Sequence, residues 1–226
     1  MQDQAASLRK LVENKKDSAA ADSGTDAARE GPEPSAARPV PKEGARIIAV
    51  TSGKGGVGKS NLTVNLALAF LAEGKKTLVI DADLGMANVD VLLGTSSKYN
   101  LLHLLDEDVV LDDVILKGPY GLRYISGGSG IEKALEYDRA EKLLLQQKLA
   151  DCAARADVIL VDTGAGLGRN VMDFILAADE VILVTTPEPT SLTDAYAVMK
   201  AYSIYAAQKN LRLVINRVYE PKESRE

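Results

Sequence analysis

From residue 47 onward, short apolar runs alternate with longer amphipathic stretches, and each change of period predicts a change of element. Ile47, Ile48, Ala49 and Val50 form an apolar run ending in a glycine-rich turn, which predicts a buried strand. Residues 59–73 carry the helical period. The string KTLVID over 76–81 predicts a second strand, and Leu101, Leu102, Leu104 and Leu105 predict short helical turns within 100–117. A strand over 122–126 and a long amphipathic helix over 133–155 follow. The string VILVD over 158–162 is another strand, then a helix spans 170–177, a strand 181–185, a helix 191–207 and a last strand 211–216. Several of the strands are continuous Val/Ile/Leu runs rather than alternating ones. That pattern belongs to a parallel sheet covered on both faces, so the expected fold is α/β, a doubly wound and mostly parallel sheet.

The first 45 residues read differently. Residues 1–16 place Ala5, Leu8, Leu11 and Val12 at helical spacing, with polar residues between them. Residues 17–45 hold Pro32, Pro34, Pro39 and Pro41, and their only large aliphatic is Val40. So little apolar surface does not offset the entropy of ordering, and the stretch is expected to be a disordered linker. The globular part is expected over 46–226. A helix as short as 1–16 is marginal alone in water. Its apolar stripe therefore belongs either to a solvated tail or to a segment that docks on a partner.

Composition narrows the class. The chain has 226 residues, 46% hydrophobic and 26% charged, which suits one α/β domain with an appendage. No apolar run approaches the ~20 residues of a membrane-crossing helix, and the opening residues lack the apolar core of a signal peptide. One cysteine, Cys152, excludes an internal disulfide, and one histidine, His103, excludes a multi-histidine metal site. The net charge of −5 gives no general pull toward nucleic acid or anionic lipid, so no nucleic-acid partner is expected. Together these features make a cytoplasmic location the expectation.

The candidate chemistry lies at the ends of strands. Gly53, Lys54, Gly55, Gly56, Val57, Gly58, Lys59 and Ser60 fit G-x-x-x-x-G-K-[ST] between a strand and a helix. Backbone N–H groups of such a loop converge on phosphate oxygens, and the helix beginning at Lys59, Ser60 and Asn61 points its positive end at the same anion. Lys59 is expected on the β- and γ-phosphates and Ser60 on Mg²⁺. Asp81 and Asp83 follow the second strand, and Asp162 ends VILVD. In open α/β sheets this edge carries the ligand. Asp162, Thr163, Gly164, Ala165 and Gly166 form a candidate switch loop, whose two glycines permit a backbone shift.

Lys54, beside the first glycine, is not needed by an ordinary phosphate loop. The string K-G-G-V-G-K-S resembles the deviant Walker A motif of the MinD/ParA family of P-loop ATPases. That resemblance implies ATP and Mg²⁺ as cofactors, an ATP-bound homodimer, and a Lys54 that reaches across the interface to the partner's nucleotide. It also implies that Asp83 orients the attacking water and Asp81 supports the magnesium sphere. Asp162 would hold Mg²⁺ through water, and Asn216, with Arg217, would contact adenine.

Within the family, the strings Gly85-Met86-Ala87-Asn88-Val89-Asp90, Gly127-Gly128-Ser129-Gly130 and Asp162-to-Gly166 resemble the FlhG/FleN branch, which regulates flagellar number and placement. Asp3, Gln4, Ala5, Leu8 and Arg9 fit that branch's D-Q-A-x-x-L-R activator motif. The motif implies docking of residues 1–16 on FlhF, a GTPase of the signal-recognition-particle type, and stimulation of its GTP hydrolysis. Flagellar basal-body components are further implied partners. A MinD-type cell-division or ParA-type partitioning ATPase is the alternative. Members of the branch continue past the asparagine strand to a C-terminal amphipathic membrane-targeting helix, whereas this chain ends at Glu226. Either the C-terminal part is missing or the natural protein is short, and peripheral membrane association is expected only where such a helix exists.

Overall fold

The structure is a computed structural model, and it describes residues 44–83, 88–128, 139–205 and 210–219. The expected activator helix over 1–16 and the expected linker up to residue 43 lie outside the described residues, as does the start of the expected helix over 133–155.

Seven strands make one sheet: β1 (Arg46–Ser52), β2 (Thr77–Ala82), β3 (Leu116–Lys117), β4 (Arg123–Ile125), β5 (Val158–Ala165), β6 (Glu180–Thr185) and β7 (Asn210–Ile215). Their order is β3-β4-β2-β5-β1-β6-β7. Every pairing is parallel except the two-residue β3, which runs antiparallel to β4 at the edge. The helices are α1 (Lys59–Ala72), α2 (Asn88–Leu93), α3 (Leu111–Val114), α4 (Arg139–Ala153), α5 (Arg169–Ala177) and α6 (Pro189–Tyr205). A 3₁₀ turn covers Leu101–Leu105. The expected doubly wound sheet is thus present, with most element bounds within two residues of those read from the sequence.

Two short elements escape the pattern. Neither α2 nor β3 is long enough to show a period, and β3 forms because Leu116 finds Tyr124 across the edge strand.

Successive strand residues serve opposite faces. Leu78, Ile80, Ile159 and Val161 pack against Leu101, Leu104, Leu145 and Cys152 on one side. Val79, Val158, Leu160, Ile48 and Val50 pack against Val64, Ala67 and Leu93 on the other. Strands buried on both faces read as continuous apolar runs for this reason. Burial pushes the Cys152 thiol up to about 11, so it stays an inert core group. Glu180 is buried where β6 begins and is neutralised by Arg46 and Arg212 from the flanking strands. No helix among the described residues is long and apolar enough to cross a membrane.

Parallel strands end at one common edge. The order β2-β5-β1-β6-β7 therefore lines up Asp81, Asp162, the Gly53–Ser60 loop, the turn after β6, and Asn216 along that edge.

Candidate nucleotide site

The glycine-rich loop joins β1 to α1. Ser52 Oγ donates to the Lys54 carbonyl at 2.9 Å and shapes its entry. A Cβ on Gly53 would lie 2.3 Å from the Asp194 backbone carbon, so only glycine lets α6 approach here. Gly58 has φ +96°, and a Cβ there would lie 2.3 Å from Asn216 Nδ2. That amide nitrogen donates to the Val57 carbonyl at 2.8 Å. Asn216 thus clasps the phosphate loop from the end of β7, and its backbone N–H donates to the Thr185 carbonyl at 2.8 Å. Arg217 follows with φ 58°.

Lys59 opens α1 and is buried. Its Nζ lies 3.0 Å from Asp162 Oδ1. Thr63, one turn on, shares its hydroxyl between the Lys59 carbonyl at 3.0 Å and the same carboxylate oxygen at 3.1 Å. Asp162 Oδ2 is buried and accepts no hydrogen bond among the described residues. An orphaned carboxylate oxygen beside the phosphate loop fits a metal-bound water. Ser60, half-buried in the first turn of α1, would supply a direct oxygen ligand. No group of three or more His, Cys, Asp or Glu among the described residues is placed to hold a metal. Mg²⁺ suits such a site, because it keeps several waters and takes phosphate oxygens rather than a full protein cage. The residues present therefore fit a magnesium nucleotide.

Asp81 and Asp162 are register partners on β2 and β5. Both oxygens of Asp81 are engaged by backbone: Oδ1 accepts from Asp83 N–H and Oδ2 from Val89 N–H, each at 3.1 Å. Burial pushes the Asp81 carboxyl up to about 7, the Asp162 charge adds to the rise, and the two N–H donors oppose it. Asp83 is half-buried. Desolvation raises its carboxyl, and Lys59 pulls against that rise. Asn88 Nδ2, from the start of α2, donates to Asp83 Oδ2 at 3.1 Å. Residues 84–87, which hold Gly85, Met86 and Ala87, lie outside the described residues.

β5 runs past Asp162 into the candidate switch. Thr163 Oγ1 donates to the Val50 carbonyl at 3.2 Å, and Gly166 N–H donates to the Ser52 carbonyl at 2.8 Å. Both bonds tie 163–166 to the strand that leads into the phosphate loop. Lys54 points the other way. Its Nζ lies 2.9 Å from Glu188 Oε2 and 3.1 Å from Thr190 Oγ1, and its side chain is 41% exposed. Lys54 and Arg217 hold the Glu188 carboxyl below its usual range.

The structure therefore gathers Lys59, Ser60, Asp81, Asp83 and Asp162 at one end of the loop and Asn216 at the other, with Lys54 on its outer rim. Asn88, Thr63, Glu188 and Thr190 are additions that sequence reading missed. Asn88 sits in a string singled out from sequence, and Glu188 follows a strand end, so both left some signal.

A doubly wound parallel sheet with this loop at its carboxyl edge defines a P-loop nucleotide-binding protein. The family model described as an AAA domain matches residues 45–215. The chain is 30% identical to the cell-division ATPase MinD of Pyrococcus furiosus, with a TM-score of 0.68 over 80% of this chain and 78% of that one. It superposes on the septum site-determining protein MinD of Pyrococcus horikoshii, complexed with Mg-ADP, at a TM-score of 0.66 and 31% identity, over 79% and 73% of the two chains. The chain belongs to the MinD/ParA family of P-loop ATPases. It is 43% identical to the antiactivator FleN of Pseudomonas aeruginosa over 180 residues, which are 80% of this chain and 64% of that protein. It is also 43% identical to the flagellum site-determining protein YlxH of Helicobacter pylori, over 81% of this chain and 62% of that one. The chain thus spans less than two thirds of the length of these two relatives.

Proposed function

We propose that the chain is an ATP-dependent, dimerising molecular switch that regulates flagellar number or placement and resets by slow hydrolysis of ATP to ADP and phosphate. The observation that carries the reading is the division of labour between the two lysines. Lys59 is buried against Asp162 inside its own site, whereas Lys54 stands on the exposed rim, held by Glu188 and Thr190. A rim lysine of this kind is free to exchange its surface partners for the phosphates of a second copy. The flagellar setting rests on the 43% identity to FleN and YlxH, against 30% for the Pyrococcus furiosus MinD.

Each group has a part in turnover. The loop N–H groups and Lys59 would hold the phosphates, while Ser60 and water on Asp162 would hold Mg²⁺, whose chemistry is to neutralise developing charge on the transferred group. Asp83 orients and deprotonates the attacking water, kept in place by Asn88. Asp81 fixes the backbone at Asp83 and at Val89, and its remaining lone pairs would support the magnesium shell through water. Asn216 and Arg217 border the base.

Lys54→Ala tests the division directly. The variant should bind ATP with parental affinity yet remain a monomer by light scattering with a non-hydrolysable analogue. A dimer of unchanged affinity would return Lys54 to the exposed surface.

Residues 1–16 supply the second activity in this reading. Asp3, Gln4, Ala5, Leu8 and Arg9 would dock on FlhF by helix-in-groove recognition. Gln4 would reach toward the GTPase site and Arg9 pair with an acidic rim. A synthetic peptide of residues 1–16 should raise GTP hydrolysis by FlhF with no ATPase domain present, and Gln4→Ala should remove most of the effect. An inert peptide beside a stimulating full chain would overturn it.

A further inference from the structure

Asp90 is a buried carboxylate outside the loop with one unpartnered oxygen among the described residues. It lies on α2, two residues past Asn88, and is only 8% exposed. Its Oδ2 accepts from Ser126 Oγ at 2.6 Å and from Ser97 Oγ at 3.0 Å. Its Oδ1 is buried and accepts no hydrogen bond among the described residues, and none of their lysines or arginines pairs with it. A carboxylate buried on hydroxyl donors alone costs stability that an apolar residue here would supply. Its contacts show what the carboxylate does instead.

The segment that Asp90 grips through Ser126 forms one wall of the Asp83 site. Ser126 follows β4, and its Oγ also accepts from Gly128 N–H at 3.2 Å. Between them, Gly127 lies flush on the end of β2: a Cβ there would sit 2.8 Å from the Asp81 carbonyl oxygen and 3.1 Å from that of Asp83. The other wall is the start of α2, where Asn88 Nδ2 reaches Asp83 Oδ2 and Val89 N–H reaches Asp81 Oδ2. One oxygen of Asp90 therefore staples the segment that packs on the Asp83 backbone to the helix that holds the Asp83 side chain. Ser97 adds the chain that leaves α2 to the same oxygen.

We infer that Asp90 is a positioning residue that sets the aim of Asp83 by locking α2 to the Ser126–Gly128 segment. This rests on the proposed role of Asp83 as the water-orienting carboxylate. The staple needs an acceptor that takes two hydroxyl donors at one oxygen. An amide either turns its NH₂ toward the two serines or buries it at the Oδ1 position. In the first case it loses both acceptor bonds, and in the second its neutral oxygen accepts more weakly than a carboxylate. Asp90→Asn therefore keeps the volume and loosens the lock.

The experiment uses the full chain as wild type, Asp90→Asn, the milder Ser126→Ala, Asp83→Ala, and Asp83→Ala with Asp90→Asn. Phosphate release gives kcat and KM, calorimetry with Mg·ADP gives affinity, and a crystal structure of Asp90→Asn shows the Asn88–Asp83 contact. The expected results are a kcat at least tenfold lower in Asp90→Asn, a smaller loss in Ser126→Ala, KM and ADP affinity unchanged, and no further loss when Asp90→Asn is added to Asp83→Ala. The Asn88–Asp83 contact should be broken in the variant structure. An unchanged contact overturns the inference whatever the rates are. So does a fall in ADP affinity that matches the fall in kcat, or an equal loss on the Asp83→Ala background. A broken contact in a chain whose wild type does not hydrolyse ATP would uphold the positioning role and defeat the proposed ATPase.

Discussion

Lys59→Ala should abolish nucleotide binding. Lys59 is buried, and its ammonium is the cation that faces the phosphate loop from inside, 3.0 Å from Asp162. Removing one partner of a desolvated charge-assisted contact costs on the order of 2–5 kcal/mol, which corresponds to roughly 30- to 4,000-fold in affinity at 1.4 kcal/mol per tenfold. The variant carries a second penalty. Asp162 is fully buried and, among the described residues, keeps only the shared Thr63 hydroxyl, so its charge loses its counterion. Breaking a buried pair in this way typically destabilises by about 3–5 kcal/mol. The nucleotide-free variant should therefore melt earlier as well as bind poorly. Calorimetric titration with Mg·ATP on protein shown to be folded by its melting curve separates the two effects. Parental affinity in folded Lys59→Ala would remove the phosphate loop from the site.

Asp83→Ala should leave binding intact and stop turnover. The carboxylate lies outside the loop that cradles the phosphates, held by Asn88 and seated beside Gly164, whose Cβ would come 3.5 Å from its Oδ1. Proton transfer by a positioned side chain is worth about 10²–10⁴-fold in rate, so hydrolysis should fall by that order while the ATP dissociation constant stays put. Turnover at the parental rate would assign the water to another group.

How much of this was legible in the sequence depends on how local each feature is. Gly53 to Ser60 form one unbroken string between a strand and a helix, and Asp162 ends an apolar run, so both could be read in place. The layered sheet was legible because β1, β2, β5 and β6 are buried on both faces and leave continuous apolar runs. Contacts that depend on strand order were not. Lys54 and Glu188 are 134 residues apart in the chain and meet only because β6 lies beside β1. Asn216 meets Val57 across 159 residues because β7 lies beside β6. Asp90, Ser97 and Ser126 come from three segments with no shared motif, so nothing in the string marks their common oxygen.

The backbone contacts of Asp81 were equally hidden. From sequence it reads as one more acidic residue at a strand end, and only the path of the chain into α2 shows that two N–H groups already claim its oxygens. Its raised carboxyl follows from that burial beside Asp162.

In this switch ATP, and not ADP, is expected to join two copies of the chain, and hydrolysis in the shared site to undo the pairing. The most direct test is the mass of the Asp83→Ala chain by light scattering, first with Mg·ATP and then with Mg·ADP. The switch predicts a dimer that persists in ATP and a monomer in ADP. One mass under both nucleotides, whether monomer or dimer, would contradict it.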